Sequence, residues 1–147
     1  MKRTTMKRLL LPLSVSLLSG CAIHQNVTPV TQGTPKEICV ISQPKVRKSF
    51  SEELSSALQN KGIGVRTVTA ASPLDTCPYS ITYNATWKWA WALYMAHAEI
   101  RVYANGLQAG KAIYDSTHGP GNMGKFIDAK TKIYELVDAL FPNAAVR

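Results

Sequence analysis

The chain has 147 residues and a formal net charge of +8 at neutral pH. Removing residues 1–20, which have the character of a signal peptide, leaves 127 residues (147 minus 20). These carry 13 Lys and Arg (17 minus 4) against 9 Asp and Glu, a net charge of +4. This charge is modest and includes no run of five like charges, which argues against a nucleic-acid-binding protein. A length of 127 residues is enough for one domain with a hydrophobic core, but hardly for two.

The first twenty residues have the layout of a secretory signal peptide, with a basic start, a short apolar stretch and small residues. The apolar stretch Leu9–Leu18 is about half the length that a membrane-spanning helix needs. The residues Leu18-Ser19-Gly20-Cys21 resemble the lipobox of bacterial lipoproteins, which implies that Cys21 becomes the first mature residue and carries acyl chains. Two or three such chains anchor a protein stably to a membrane. The alternative is a cytoplasmic start in which Cys21 is an ordinary buried thiol.

Two further cysteines lie in the body of the chain. With Cys21 assigned to lipid, Cys39 and Cys77 are the only possible disulfide pair, and an exported protein reaches a compartment that favours disulfides. Neither cysteine lies in a CxxC pair or near a histidine, so metal binding and thiol redox chemistry are poor interpretations. Two free buried thiols remain the alternative.

The segment after Cys21 carries no charge and no sustained hydrophobic period. We therefore predict that residues 21–35 are a lipidated N-terminus followed by a flexible tether. The single folded domain is expected to occupy residues 36–147.

The domain is predicted to begin with a β-α-β unit. Glu37–Ser42 is a short β-branched run typical of a strand. Ser49 and Glu52 fit a capping box, which predicts a helix start at this point, and Gly62 provides the helix end. Alternation over Ile63–Thr69 predicts a second strand, parallel to the first.

Three antiparallel strands and a C-terminal helix are predicted to follow. The turn Asn105-Gly106 is typical of a type I′ hairpin. The predicted strands are Tyr79–Trp91, Tyr94–Ala104 and one near Gln108–Ser116, and the predicted helix is Phe126–Phe141. A helix over residues 87–104 is the alternative. The fold class is thus α+β: a β-α-β unit, a three-stranded antiparallel meander and a C-terminal helix, with both helices on one face of a mixed five-stranded sheet.

A glycine-rich loop before the last helix resembles a phosphate-binding loop, since residues 119–125 match GxxxxGK. Phe126 occupies the position where a hydroxyl would hold magnesium, and the periplasm offers no supply of ATP, so nucleotide binding is disfavoured. A turn into a helix is the preferred interpretation. The free N–H groups there still make a candidate anion loop, formed by Gly121, Gly124 and Lys125.

A row of aromatic residues alternates along the first strand of the meander. Tyr79 and Tyr83 are expected to be buried beneath the helices. The row continues past the helices that would cover it, so Trp87, Trp89 and Trp91 are a candidate exposed surface for a protein, a glycan or a membrane.

Three polar residues on the next strand, His97, Glu99 and Arg101, point the same way and extend the candidate binding surface. A histidine general base is one interpretation, but a solvated face with cross-strand ion pairs is favoured. No nucleophile elbow, HExxH motif or carboxylate pair supports catalysis. We therefore expect no enzyme activity, no catalytic residue, no metal and no cofactor.

Several stretches of the mature chain resemble the Sbal-type family of small gammaproteobacterial lipoproteins. These stretches are Pro44–Phe50, Cys77–Tyr83, Ala85–Trp87, Ala98–Tyr103, Gly110–Tyr114 and Gly124–Phe126. The chain departs from the family pattern at Lys88, where an acidic residue is expected. The resemblance implies a location and a fold but no activity.

Together these observations predict a membrane-anchored bacterial lipoprotein. Ala22 follows the lipidated cysteine where an aspartate would resemble an inner-membrane retention signal, which favours the periplasmic face of the outer membrane. We expect a non-enzymatic binding or accessory protein for an envelope protein or cell-wall partner, without nucleic-acid or nucleotide binding. The alternative is a small-ligand or anion-binding carrier in the envelope.

Overall fold

A computed structural model describes residues 23–118 and 123–144, which form an α+β domain. Two helices pack against one face of a mixed six-stranded sheet. The strands are β1 (His24–Thr28), β2 (Glu37–Ile41), β3 (Gly64–Val68), β4 (Tyr79–Ala90), β5 (Ala92–Ala104) and β6 (Leu107–Asp115). The helices are α1 (Lys48–Asn60) and α2 (Ala129–Leu140), and a short 3₁₀ turn spans Met123–Phe126.

The order of strands across the sheet is β1-β6-β5-β4-β2-β3. β2 and β3 are parallel and are joined by α1, which confirms the predicted β-α-β unit. β4, β5 and β6 form the predicted antiparallel meander, so residues 87–104 are strands and not the alternative helix. Asn105 and Gly106 both have positive φ angles, as a type I′ turn requires.

The sixth strand corrects the predicted tether and the predicted five-stranded sheet. His24–Thr28 lies inside residues 21–35 but pairs antiparallel with β6, from His24 opposite Asp115 to Thr28 opposite Lys111. Farther along this segment, Val30 is buried in the core, and its N–H donates to the carbonyl of Leu140. The described domain therefore begins ahead of residue 36.

The predicted capping box of the first helix is also wrong. α1 begins at Lys48 with Arg47 as its N-cap, and no side chain caps it. Its C-terminus follows the prediction, because Gly62 adopts a positive φ and donates its N–H to Gln59. α2 is capped by Asp128, whose carboxylate accepts the N–H of Thr131.

The core lies between the helices and one face of the sheet. Alternate residues of β4, β5 and β6 point into it, and the helices contribute an apolar stripe. The largest fully buried side chains include Phe50, Leu54, Leu58, Ile81, Ile100, Tyr114, Ile133, Leu136 and Leu140. The space between the sheet and α2 is therefore filled by the protein's own side chains.

The disulfide Cys39–Cys77 joins the two halves of the sheet, and its Cα atoms are 6.1 Å apart. It bridges β2 to the loop that leads into β4. These strands pair over only Cys39–Ser80 and Val40–Ile81, so the β-α-β unit meets the meander along a short parallel seam. The bridge thus reinforces the junction with the least backbone pairing.

The long β4–β5 hairpin contains a bulge at Ala96. Thr86 pairs with His97, but Trp87 pairs with Met95, so one residue of β5 has no partner on β4. Beyond the bulge the alternation of β5 is reversed, and Met95 joins the core instead of the open face.

No helix in the described part of the chain combines the length and apolar character needed to cross a bilayer.

Candidate functional site

Neither helix covers the second face of the sheet. Cys39 and Ser80 are buried there, but farther along β4 and β5 this open face presents polar side chains. β4 contributes Thr82, Asn84 and Thr86, because its odd-numbered residues face the core. On β5, register places Arg101 opposite Thr82 and Glu99 opposite Asn84. A shallow cavity of about 380 Å³ lies here, lined by Gln43, Thr82, Tyr83, Asn84, Glu99 and Arg101.

A charge cluster of Glu99, Arg101 and Lys111 forms part of the wall of this cavity, through Glu99 and Arg101. Arg101 Nε donates to Glu99 Oε1, and Lys111 Nζ lies 3.5 Å from the same oxygen. Glu99, and after it Tyr103, raises the pKa of the Arg101 guanidinium above its ordinary value. One carboxylate against two cations gives the cluster a net charge of +1. The guanidinium has five N–H donors, and Glu99 and Tyr103 use only part of them. Further donors therefore remain for a carboxylate, phosphate or hydroxyl of a ligand.

A second polar group surrounds Asp115 at the end of β6. The N–H of Thr117 donates to Asp115 Oδ1 at 2.8 Å, and the Thr117 hydroxyl donates to the same oxygen. This hydroxyl is the main cause that lowers the pKa of the Asp115 carboxyl below its ordinary value. Nδ1 of His97 and Nδ1 of His118 each lie 3.8 Å from an Asp115 oxygen. At this distance neither histidine is hydrogen-bonded to the carboxylate, whose bonds come from Thr117 in its own turn.

The structure places the predicted aromatic residues on the other side of the sheet from the charge cluster. Trp87 is half-buried, since it packs edge-on against Phe50 with the Arg47 guanidinium 5.3 Å from its ring centre. Trp89 and Trp91 lie past the helices, and both are exposed. Toward the start of β4, Tyr83 is buried as predicted and its hydroxyl accepts the N–H of Gln43.

The six residues grouped as one candidate surface therefore fall in two places. His97, Glu99 and Arg101 lie on the open face. Trp89 and Trp91 lie at the hairpin tip, with Trp87 between that tip and the core.

Of the candidate anion loop, Gly121 lies outside the described residues, whereas Gly124 and Lys125 lie in the 3₁₀ turn. Nζ of Lys125 sits 5.1 Å from the ring centre of Tyr94. The predicted helix start at Phe126 is wrong, because α2 begins at Ala129 and a carboxylate caps it. That helix end therefore already holds an anionic group of the chain.

The sequence did not single out Lys111, Asp115 or Gln43 for the open face. Alternation along β6 pointed to the first two, since every second residue from Lys111 shares that face. Gln43 follows β2 and reaches the cavity only through the tertiary structure. The lipidation candidate Cys21 lies outside the described residues. Among those that are described, no three His, Cys, Asp or Glu side chains are placed to hold a metal ion.

Comparisons with known proteins bear on the fold alone. No family model matches the chain, and no curated protein matches it. A PelC variant from Paraburkholderia phytofirmans, solved as a dodecamer, is similar over 81% of this chain and 97% of that one, with a TM-score of 0.59 and 15% identity. A second PelC dodecamer from the same organism covers 82% and 98%, with a TM-score of 0.57 and 15% identity. TolB from Acinetobacter baumannii covers 80% of this chain and 30% of its own, with a TM-score of 0.42 and 11% identity. The PelC likeness shows a shared fold.

Proposed function

We propose that this chain is an outer-membrane lipoprotein of the periplasm that binds an envelope partner without catalysing a reaction. The observation that carries the proposal is the open sheet face, where hydrogen-bonding side chains line a cavity together with the charge cluster of Glu99, Arg101 and Lys111. An antiparallel sheet often leaves one face to water. Here, however, that face presents Arg101 with unused donors next to Thr82 and Asn84. This arrangement suits a partner with carboxylate or hydroxyl groups, such as a cell-wall polymer or an acidic segment of an envelope protein.

The membrane anchor in this proposal is Cys21. The lipobox-like residues that precede it support acylation, and the disulfide is consistent with an oxidising compartment. Metabolic labelling with an alkyne palmitate tests the anchor directly. Label on the wild type and its loss in a Cys21→Ser variant are expected, with the labelled chain in the outer-membrane fraction of a density gradient. Recovery of an unlabelled chain from the cytosol would contradict the proposal.

The binding face is tested with two matched variants that each remove one positive charge. Arg101→Gln changes the open face, whereas Lys48→Gln changes an exposed position on α1. Affinity purification from detergent-solubilised envelopes is expected to recover a stoichiometric partner with the wild type and Lys48→Gln, but not with Arg101→Gln. Thermal melting of both variants controls for folding. Loss of the partner from both variants, or from neither, contradicts binding through the open face.

A second candidate function is an anion carrier, favoured by the excess positive charge of Arg101 and Lys111 beside Glu99. A ligand present at about 100 times its Kd stabilises the folded state by about 2.7 kcal/mol. Thermal melting with phosphate and with small dicarboxylates is expected to show a rise that Arg101→Gln abolishes. An equal rise in both proteins would place the anion elsewhere.

A further inference from the structure

The β4–β5 hairpin extends beyond the rest of the sheet. β6 ends at Asp115, which pairs with His97, while β5 continues on the far side of His97 as far as Ala92. Residues 92–96 have no register partner on β6, although Ser116, one residue after that strand, still donates its N–H to the carbonyl of Ala96. At about 3.3 Å per residue they carry the tip some 16 Å past the end of that strand.

The side chains at this hairpin tip are large and apolar. Trp91 is 95% exposed, Trp89 75%, and the nearby Met123 76%. Trp91 makes the chain reversal itself with a φ of 67°, a conformation that is unusual for a bulky residue. A cavity of about 370 Å³ beside it is lined by Trp91, Met123, Lys125 and Phe126. Exposed apolar clusters of this kind mark interaction surfaces.

The start of the described chain lies at the same end of the sheet as the tip. His24 is the first residue of β1 and pairs with Asp115, so β1 begins level with the point where the hairpin leaves the sheet. Cys21 is three residues earlier and lies at most about 10 Å from His24. The hairpin tip thus extends at least as far in this direction as the cysteine can reach.

Basic side chains are found at the same end. Arg47 contacts Trp87, Lys125 lies over Tyr94, and Lys88 is exposed on β4. In the described part of the chain no carboxylate forms an ion pair with any of these three cations. Tryptophan rings beside basic side chains are the combination found where proteins meet the headgroup layer of a bilayer.

We propose that the tip formed by Trp89, Trp91 and Met123 inserts into the same membrane leaflet that holds the acyl chains on Cys21. The insertion is a second attachment point, and it orients the domain with its strands steep to the membrane, which leaves the open face accessible from the periplasm. This inference rests on the proposed lipid anchor. It names phospholipid as the partner of the tip, distinct from the partner of the open face.

All three tryptophans of the chain lie in this hairpin, so tryptophan fluorescence reports on it directly. The test uses the lipidated full-length mature protein in phosphatidylethanolamine–phosphatidylglycerol vesicles, with lipids brominated either near the headgroup or near the chain end. A Trp87→Phe variant leaves the two tip residues as reporters. A Trp89→Phe/Trp91→Phe variant leaves Trp87 alone. The matched control adds Leu107→Trp to a variant with all three tryptophans changed to Phe, because Leu107 is exposed at the opposite end of the sheet.

Strong quenching of the two tip residues by headgroup-proximal bromine is expected, with weaker quenching of Trp87 and none of the Leu107→Trp control. Unquenched tip residues on a membrane-bound chain would overturn the insertion, as happens if a second copy or another protein covers the tip. Equal quenching of the tip and the control would overturn the orientation. Absence of palmitate on Cys21 is a separate result: it contradicts the anchor, and the insertion that depends on it.

Discussion

Removal of the disulfide is expected to cause a large loss of stability and to loosen one particular seam. The perturbation is the double variant Cys39→Ala/Cys77→Ala. Alanine is preferred to serine because both positions are buried, and a serine hydroxyl there would need a hydrogen-bond partner.

The size of the loss follows from the length of chain that the bridge encloses. The two cysteines are 38 residues apart, and the loop-closure relation gives about 4 kcal/mol for a loop of this length. Residual structure in the unfolded chain reduces this value, so we expect a loss of about 3–4 kcal/mol. The free energy of unfolding of a typical domain is about 5–15 kcal/mol in total. The variant should therefore fold, but with a much smaller margin.

Urea denaturation monitored by tryptophan fluorescence measures the loss. With an m value of about 1.5 kcal/mol per molar, a loss of about 3–4 kcal/mol should lower the urea midpoint by about 2–2.7 M. Amide hydrogen exchange should show that protection along β2 falls more than along β5, because β2 is held to β4 over only two register pairs. A loss under about 1 kcal/mol would refute the entropy argument, and equal loss of protection in both strands would refute the role assigned to the seam.

Three other substitutions test separate parts of the fold. Gly110→Ala should destabilise the protein by about 1–3 kcal/mol in urea, because a Cβ there would lie 2.7 Å from Cγ2 of Val30; an unchanged midpoint would show that Val30 moves freely. Asp128→Ala removes the N-cap of α2 and should cost about 1 kcal/mol, a result contradicted by equal midpoints. Asp115→Asn should change the pH dependence of stability. In the folded protein the pKa of the Asp115 carboxyl is lowered by the hydrogen bond from Thr117. The ionised carboxylate therefore stabilises the fold above the unfolded pKa of about 3.9, and this stabilisation is lost as pH falls through the folded pKa. The wild type should thus be more stable than the variant at pH 7 and lose that advantage in strong acid. A difference in unfolding free energy that stays constant with pH would contradict the assignment.

Local sequence signals were enough for the elements whose geometry depends on their neighbours in the chain. Asn105-Gly106 predicted the hairpin turn because few other residues adopt two consecutive positive φ angles easily. The β-α-β unit followed from two short β-branched runs around an amphipathic helix. The predicted pair Cys39–Cys77 is present in the structure, and it followed from the number of cysteines and not from geometry.

The first strand was missed because its partner is far along the chain. His24–Thr28 is polar and lies at the edge of the sheet, where neither face imposes the alternation that marks a half-buried strand. Its pairing with β6 depends on tertiary contacts such as that of Val30 with Leu140. Similarly, the bulge at Ala96 interrupts the period of two along β5. Alternation therefore could not predict which face of the sheet carries the Met95 side chain.

By itself the sequence determined the α+β class, the order of most elements and the residue types available for binding, because these depend on short-range periodicity and composition. Only the tertiary structure decided that His97, Glu99 and Arg101 lie on a different surface from the tryptophans, and that Lys111 and Asp115 lie beside them. It also placed the beginning of β1 at the hairpin end of the sheet. The physical reason is that register and strand order bring together residues far apart in the chain, and pairing of backbone groups between strands carries no local pattern that a single segment displays.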